Sequence, residues 1–130
     1  MATVIFQDET ATGWPIAALE IGGVPERVSV RELIRIRVRE EVARHNAAPG
    51  SRFHGLVRPT DAEVELNGYR LSEPRVLDWQ AQARIAERAF ESNGFFVLVD
   101  ERQVESLDEV VQVGAELSLV FIKLVPLVGG

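Results

Sequence analysis

The residues best suited by type and spacing to take part in chemistry are the final pair, Gly129-Gly130, preceded by Pro126-Leu127-Val128. With glycine at about 7% of average sequence, such a pair closes a chain by chance in about 0.5% of cases, so composition alone is a weak account of it. A terminal glycine carboxylate has no β-carbon to obstruct a narrow active-site channel, and a flexible pair can extend into one. Transfer from an unactivated carboxylate is uphill. A partner enzyme must first use ATP to form an acyl-adenylate, whose carbonyl a thiolate or a sulfide then attacks. In that chemistry the chain is a substrate, and no catalytic residue of its own is expected. A cloning scar or a frayed end is the other reading of the pair.

Other residues that could do chemistry lack the spacing it needs. His45 and His54 match no zinc or calcium loop, and are expected to be surface or capping residues. Ser51 and Ser92 sit in nothing like a nucleophile elbow, so a serine-histidine-acid triad is not expected. Gly22-Gly23 lacks the spacing of a phosphate loop and reads as a turn. No metal and no cofactor are expected. After residue 94 six acids, Asp100, Glu101, Glu105, Asp108, Glu109 and Glu116, face only two bases, Arg102 and Lys123. This is a solvated face, or one that steers docking to a basic partner.

Composition narrows the classes further. A chain of 130 residues, 46% hydrophobic and 26% charged, reads as one ordinary folded domain. It contains no cysteine, which excludes disulfides, a catalytic thiol and a thioester on its own side chain. A net charge of −6 argues against nonspecific nucleic-acid and anionic-membrane binding. Neither a signal peptide nor an 18-residue apolar stretch is present, so a cytoplasmic location is expected. Of 14 basic residues only Lys123 is a lysine.

The elements that would position the tail follow from periodicity. Thr3 to Gln7 and Ile16 to Ile21 read as strands of an opening hairpin, the second stopping at Gly22-Gly23. Ser29 and Glu32 form a capping box with Val28 and Leu33 as its staple. The helix that follows carries Val30, Leu33, Ile34, Val38 and Val42 on its core face and Arg31, Arg35 and Arg39 on a solvated one, and ends near Asn46. Glu63 to Leu71 reads as a hairpin with a type I′ turn at Asn67-Gly68. A second helix from Pro74 to Asn93 buries Val76, Trp79, Ala83, Ala86 and Phe90. Phe95 to Val99 and Arg102 to Val104 are strands joined by Asp100-Glu101. Ser106 to Glu109 repeats the capping-box pattern and predicts a single helical turn. Leu117 to Val125, the most apolar run, predicts a central strand buried on both faces. Pro126 onward should project as a tail.

This order resembles the β-grasp fold of ubiquitin-like proteins, including the sulfur carriers of molybdopterin and thiamine synthesis. The stretches that carry the resemblance are Val28-Ser29-Val30-Arg31-Glu32-Leu33, Val97-Leu98-Val99-Asp100-Glu101-Arg102-Gln103-Val104, Val113-Gly114-Ala115-Glu116-Leu117-Ser118-Leu119-Val120 and Pro126-Leu127-Val128-Gly129-Gly130. It covers residues 3–47 and 94–130. It implies an α+β chain, a single β-grasp domain over 1–130 with a mixed sheet and a packed helix. Residues 48–93 would be an insertion adding a hairpin and a second helix, and 126–130 a flexible tail. Gly130 would be the residue adenylated and transferred, Gly129 its slim neighbour. Pro126, Leu127 and Val128 would thread a ubiquitin-activating-type adenylating enzyme, with no protease needed to expose the glycines. A conjugating enzyme and a deconjugating metalloprotease are the further partners implied, and the exposed face of the last strands the docking surface.

Three functions fit. One is a modifier of a prokaryote-type conjugation pathway, joined through Gly130 to an amine on a target. A second is a sulfur carrier that forms a C-terminal thiocarboxylate, and a third an interaction module that is never conjugated. The extra helix favours the modifier, since a carrier that only delivers sulfur has little need of one. The single lysine, Lys123, limits the chain's own acceptors to that residue and the amino terminus.

Overall fold

The computed structural model describes residues 2–13, 15–65 and 68–124. In chain order they form β1 (Ala2–Thr10), β2 (Pro15–Val24), β3 (Arg27–Ser29), α1 (Val30–Ala47), β4 (Arg52–Phe53), β5 (Glu63–Glu65) and β6 (Gly68–Arg70). There follow α2 (Trp79–Glu91), β7 (Phe95–Val99), β8 (Arg102–Val104), β9 (Val110–Gln112) and β10 (Glu116–Lys123). The fold class is α+β, as expected. Residues 31–89 make one compact unit, and the described residues up to Val30 and from Phe90 onward make the other.

The unit formed by the two ends of the chain is built on a five-stranded sheet ordered β2-β1-β10-β7-β8. β1 and β10 run parallel, from Thr3 opposite Glu116 to Thr10 opposite Lys123, while the other pairs are antiparallel. The sheet is therefore mixed. Period-two patterning sets its buried side: Val4, Phe6, Phe95, Val97, Leu119 and Phe121 alternate with less buried neighbours along three strands. Phe121 meets Phe6 edge-on at 5.9 Å and stacks on Phe95 at 5.7 Å, and Phe95 meets Phe90 at 6.0 Å. Such ring pairs add to the burial of the rings themselves.

The closing strand is central, but the expectation that it is buried on both faces is corrected. Leu117, Leu119 and Phe121 are buried, Ser118 is exposed, and Val120 and Ile122 are half-buried. A central place requires backbone pairing at both edges; cover on both faces is a demand of all-parallel sheets, and this sheet is mixed. Gly22-Gly23 likewise does not end the second strand. β2 continues to Val24, with a register shift between the pairs Ala2–Val24 and Val4–Ile21 and a positive φ of 74° at Gly23, which marks a bulge at the two glycines. The β7–β8 hairpin is as expected. Asp100 and Glu101 have φ of 49° and 65°, the left-handed pair of a two-residue type I′ turn.

The helical turn expected at Ser106 to Glu109 is absent, and the segment leads into a strand. Asp108 N donates to Ser106 Oγ at 3.1 Å and Glu109 N to the Ser106 carbonyl at 3.3 Å, which closes a turn. A capping box would need the Glu109 carboxylate at the Ser106 amide; Arg102 holds that carboxylate at 2.5 Å instead. β9 then pairs antiparallel with β3, Val110 opposite Ser29, and the Glu109 carbonyl accepts from Val30 N at 2.9 Å. That bond satisfies one of the four amides a helix start leaves open.

In the unit of residues 31–89, the predicted apolar positions Leu33, Ile34, Val38 and Val42 of α1 are all 2% exposed or less. Its arginine stripe is not simply solvated. Arg35 Nε donates to Glu87 of α2 at 3.1 Å, and the Arg39 guanidinium lies 5.5 Å from the centre of the Trp79 ring. α2 starts five residues later than Pro74. Val76, assigned to its buried stripe, is 64% exposed, whereas Ala83, Ala86 and Phe90 are buried. Asp78 is the N-cap: its carboxylate accepts from Gln80 N at 3.0 Å and its carbonyl from Gln82 N at 3.1 Å. Asn93, with φ of 61°, supplies the expected left-handed stop. β5 and β6 form the expected hairpin, joined at its β6 edge by β4. Glu65 lies opposite Gly68, which opens β6, while Leu66, Asn67 and the type of the turn lie outside the described residues.

Candidate functional site

Gly130, Gly129, Val128, Leu127 and Pro126 lie outside the described residues, as does Val125. The strand that leads to them is well placed. β10 is the middle strand of its sheet and ends at Lys123, flanked by Thr10 of β1 on one side and Phe95 of β7 on the other. Leu124, the last described residue, is 48% exposed.

The two faces of this sheet differ in burial. Register places Val120 opposite Leu98 and Gln7, Ile122 opposite Phe96 and Glu9, and Ile5 opposite Ser118 and Glu20. None of these residues is buried. Five of them, Ile5, Phe96, Leu98, Val120 and Ile122, are large and apolar, and they span three adjacent strands. The same face carries the polar side chains of Gln7, Glu9, Ser118 and Glu20. A depression lined by Glu91, Asn93, Gln103 and Glu105 adds polar groups beside Phe96. The sequence expectation of a docking face on the last strands named no residues. The alternation of Ser118, Val120 and Ile122 with Leu117, Leu119 and Phe121 is the signal that would have found them.

Charge is divided between the two units. The unit of the chain ends holds eleven acidic and three basic residues, a net −8, and residues 31–89 hold eleven arginines and nine acids, a net +2. Asp100, Glu101 and Glu105 flank the edge strand β8, where Arg102 is engaged by Glu109. The hydrogen bond and charge of Glu109 hold the Arg102 guanidinium above its ordinary pKa. Glu63 does the same to Arg70, by hydrogen bond first and charge second.

His45 Nε2 donates to the Arg75 carbonyl at 2.8 Å while its ring stands edge-on to Phe53 at 5.5 Å. The Ser51 carbonyl accepts from Leu71 N at 2.7 Å, and Ser92 follows the end of α2. Among the described residues no group of three or more His, Cys, Asp or Glu side chains is placed to hold a metal ion.

What the sequence did not announce is a set of α1 side chains that hold backbone of the segment 56–77. Glu41 Oε1 accepts from Leu56 N at 3.2 Å and Oε2 from Arg37 at 3.3 Å, with both charged side chains less than 10% exposed. Asn46 brackets one residue, accepting from Leu77 N and donating to its carbonyl, each at 2.8 Å. Gln82 of α2 donates to the Val57 carbonyl at 3.3 Å. These bonds satisfy backbone groups that an irregular segment would otherwise leave unpaired. No family model, no curated protein and no solved structure matches this chain.

Proposed function

We propose that the chain is a ubiquitin-like β-grasp modifier whose Gly130 carboxylate is adenylated by an activating enzyme and transferred through a thioester to an amine on a target. The reading is carried by Gly129 and Gly130, six and seven residues beyond the central strand of a mixed sheet, an architecture compatible with a β-grasp. In the proposed sequence the carboxylate attacks the α-phosphate of ATP with loss of pyrophosphate. A thiolate of the partner displaces AMP, and the target amine then displaces the thiol. This chain has no cysteine, so the thiol belongs to the partner. Ile5, Phe96, Leu98, Val120 and Ile122 are the proposed contacts for the activating enzyme, beside the strand that delivers the tail.

Mass spectrometry of cells expressing the protein tests the proposal. Trypsin cuts after Lys123, so a conjugated target lysine would carry the seven-residue remnant Leu124 to Gly130. The expected result is that remnant on target lysines, lost on deletion of Gly130. Adducts that survive the deletion, or a free chain whose terminal oxygen has been replaced by sulfur without any adduct, would refute it. The latter result would establish the sulfur carrier.

A further inference from the structure

The two edges of the five-stranded sheet are unlike. β8 has three residues, among them Arg102 and Gln103, and is too short to template a partner strand. β2 has ten residues, is hydrogen-bonded on one side only, to β1, and is exposed or half-buried from Pro15 to Gly23. Register shifts fall at its two ends, and between them Ala17-Ala18-Leu19-Glu20-Ile21 is regular. Alternation sends its side chains two ways. The half-buried Leu19 and Ile21 share a side with Phe6 and Val4, to which they pair. Ala18 and Glu20 share the other, followed by Gly22, so the one charged side chain of the edge stands between two residues too small to screen it.

We propose that this edge takes an extended basic segment of another protein as a sixth strand, with lysine or arginine on the Glu20 side and apolar residues on the side of Leu19 and Ile21. Backbone groups of β2 that point away from β1 supply the hydrogen bonds, and the alternation of side chains supplies the selection. A long cationic side chain opposite Glu20 lays its methylenes over Ala18 and keeps its head at the carboxylate. On the other side, apolar residues of the added strand cover Leu19 and Ile21.

The sign of the partner comes from the residues around the edge. Residues 2–24 include Asp8, Glu9 and Glu20 and no lysine, arginine or histidine. The row of Glu20, Ile5 and Ser118 holds no base. Lys123 lies opposite Thr10, five residues along β1 from Ile5, which is about 17 Å at about 3.4 Å per residue. That is about twice the Debye length of about 8 Å at physiological salt, so Lys123 does not offset Glu20. An acidic strand is disfavoured at the same place, because like charges set opposite each other destabilise a pair. Five residues a side bury far less than the roughly 800 Å² per partner of a standard interface, so the complex is a transient one.

The test is an NMR titration of the nitrogen-15-labelled full chain with an acetylated, amidated nonapeptide of alternating lysine and valine. Saturable amide shifts centred on Ala17 to Ile21 are expected, with exchange protection gained at every second amide there and binding that weakens as salt is raised. Peptides that alternate glutamate or serine with valine should bind more weakly. Glu20 is exposed, so Glu20→Gln and Glu20→Lys should keep the circular dichroism spectrum of the parent. Glu20→Gln should weaken the lysine peptide about two- to five-fold, the range of one cross-strand charge pair, and Glu20→Lys more. Methylating every second backbone nitrogen of the peptide should abolish binding for one set of positions and spare it for the other, since only one set faces β2. An absence of saturable shifts would overturn the proposal and leave Glu20 as a guard against edge-to-edge pairing. Shifts centred on Asp100, Glu101 and Glu105 instead, equal binding of the three peptides, unchanged binding to Glu20→Lys, or indifference to methylation of either set would overturn it as well.

Discussion

Glu41→Ala is expected to be strongly destabilising. The carboxylate accepts from Arg37 Nη2 and Nε at 3.3 and 3.4 Å and from Leu56 N at 3.2 Å, and the two charged side chains are 4% and 9% exposed. Removing it leaves a buried guanidinium without that partner and a backbone amide without its acceptor. Breaking one side of a buried pair costs about 3–5 kcal/mol. At about 2.1 cal/mol/K of unfolding entropy per residue, a loss of about 4 kcal/mol in this chain lowers the melting temperature by about 15 °C. Urea unfolding followed by far-ultraviolet circular dichroism, with thermal melts beside it, reads both quantities. The double variant Arg37→Met with Glu41→Gln separates charge from packing. It removes both charges while the glutamine oxygen can still accept from Leu56 N, so it should recover most of the loss. A cost below about 1 kcal/mol for Glu41→Ala, or a double variant no more stable than the single one, would refute the reasoning.

Two further substitutions address the backbone. A β-carbon at Gly55 would lie 2.2 Å from Phe53 Cε2, and Phe53 is 2% exposed with its ring against His45. Gly55→Ala should therefore cost about 1–3 kcal/mol by overpacking, and the Phe53 ring resonances should shift in a carbon-proton NMR spectrum. Glu101, in the β7–β8 turn, has φ of 65° without being a glycine. Glu101→Gly should relieve that conformation and raise stability by about 1 kcal/mol in the same urea titration, leaving the Val97–Val104 pairing intact.

Helices, the β7–β8 hairpin and most of the buried positions were legible because their signals are local. The spacing of Leu33, Ile34, Val38 and Val42 needs only the pitch of one helix, and all four are buried. Asp100-Glu101 between two strand-like segments needs only the turn. The misreadings have a common cause in competition from residues distant in sequence. Ser106 to Glu109 satisfies a helix-start pattern, yet Arg102 takes the glutamate and Arg27–Ser29 takes the strand that follows. Pro74 to Asp78 satisfies a helix pattern as well, yet the Asn46 amide holds both backbone groups of Leu77 and the helix begins after Asp78.

The candidate site divides along the same line. By itself the sequence determined that the chain has no thiol of its own and a single lysine, Lys123, which are properties of composition that folding does not alter. Tertiary structure alone decided that β10 lies between β1 and β7, that one of its faces carries half-buried Val120 and Ile122 beside Phe96 and Leu98, and that β2 is left as a long edge. Strand neighbours are chosen by backbone hydrogen bonds between segments far apart in the chain. Those bonds are alike whatever the side chains, so pairing is settled by how the whole set of apolar faces can be buried at once.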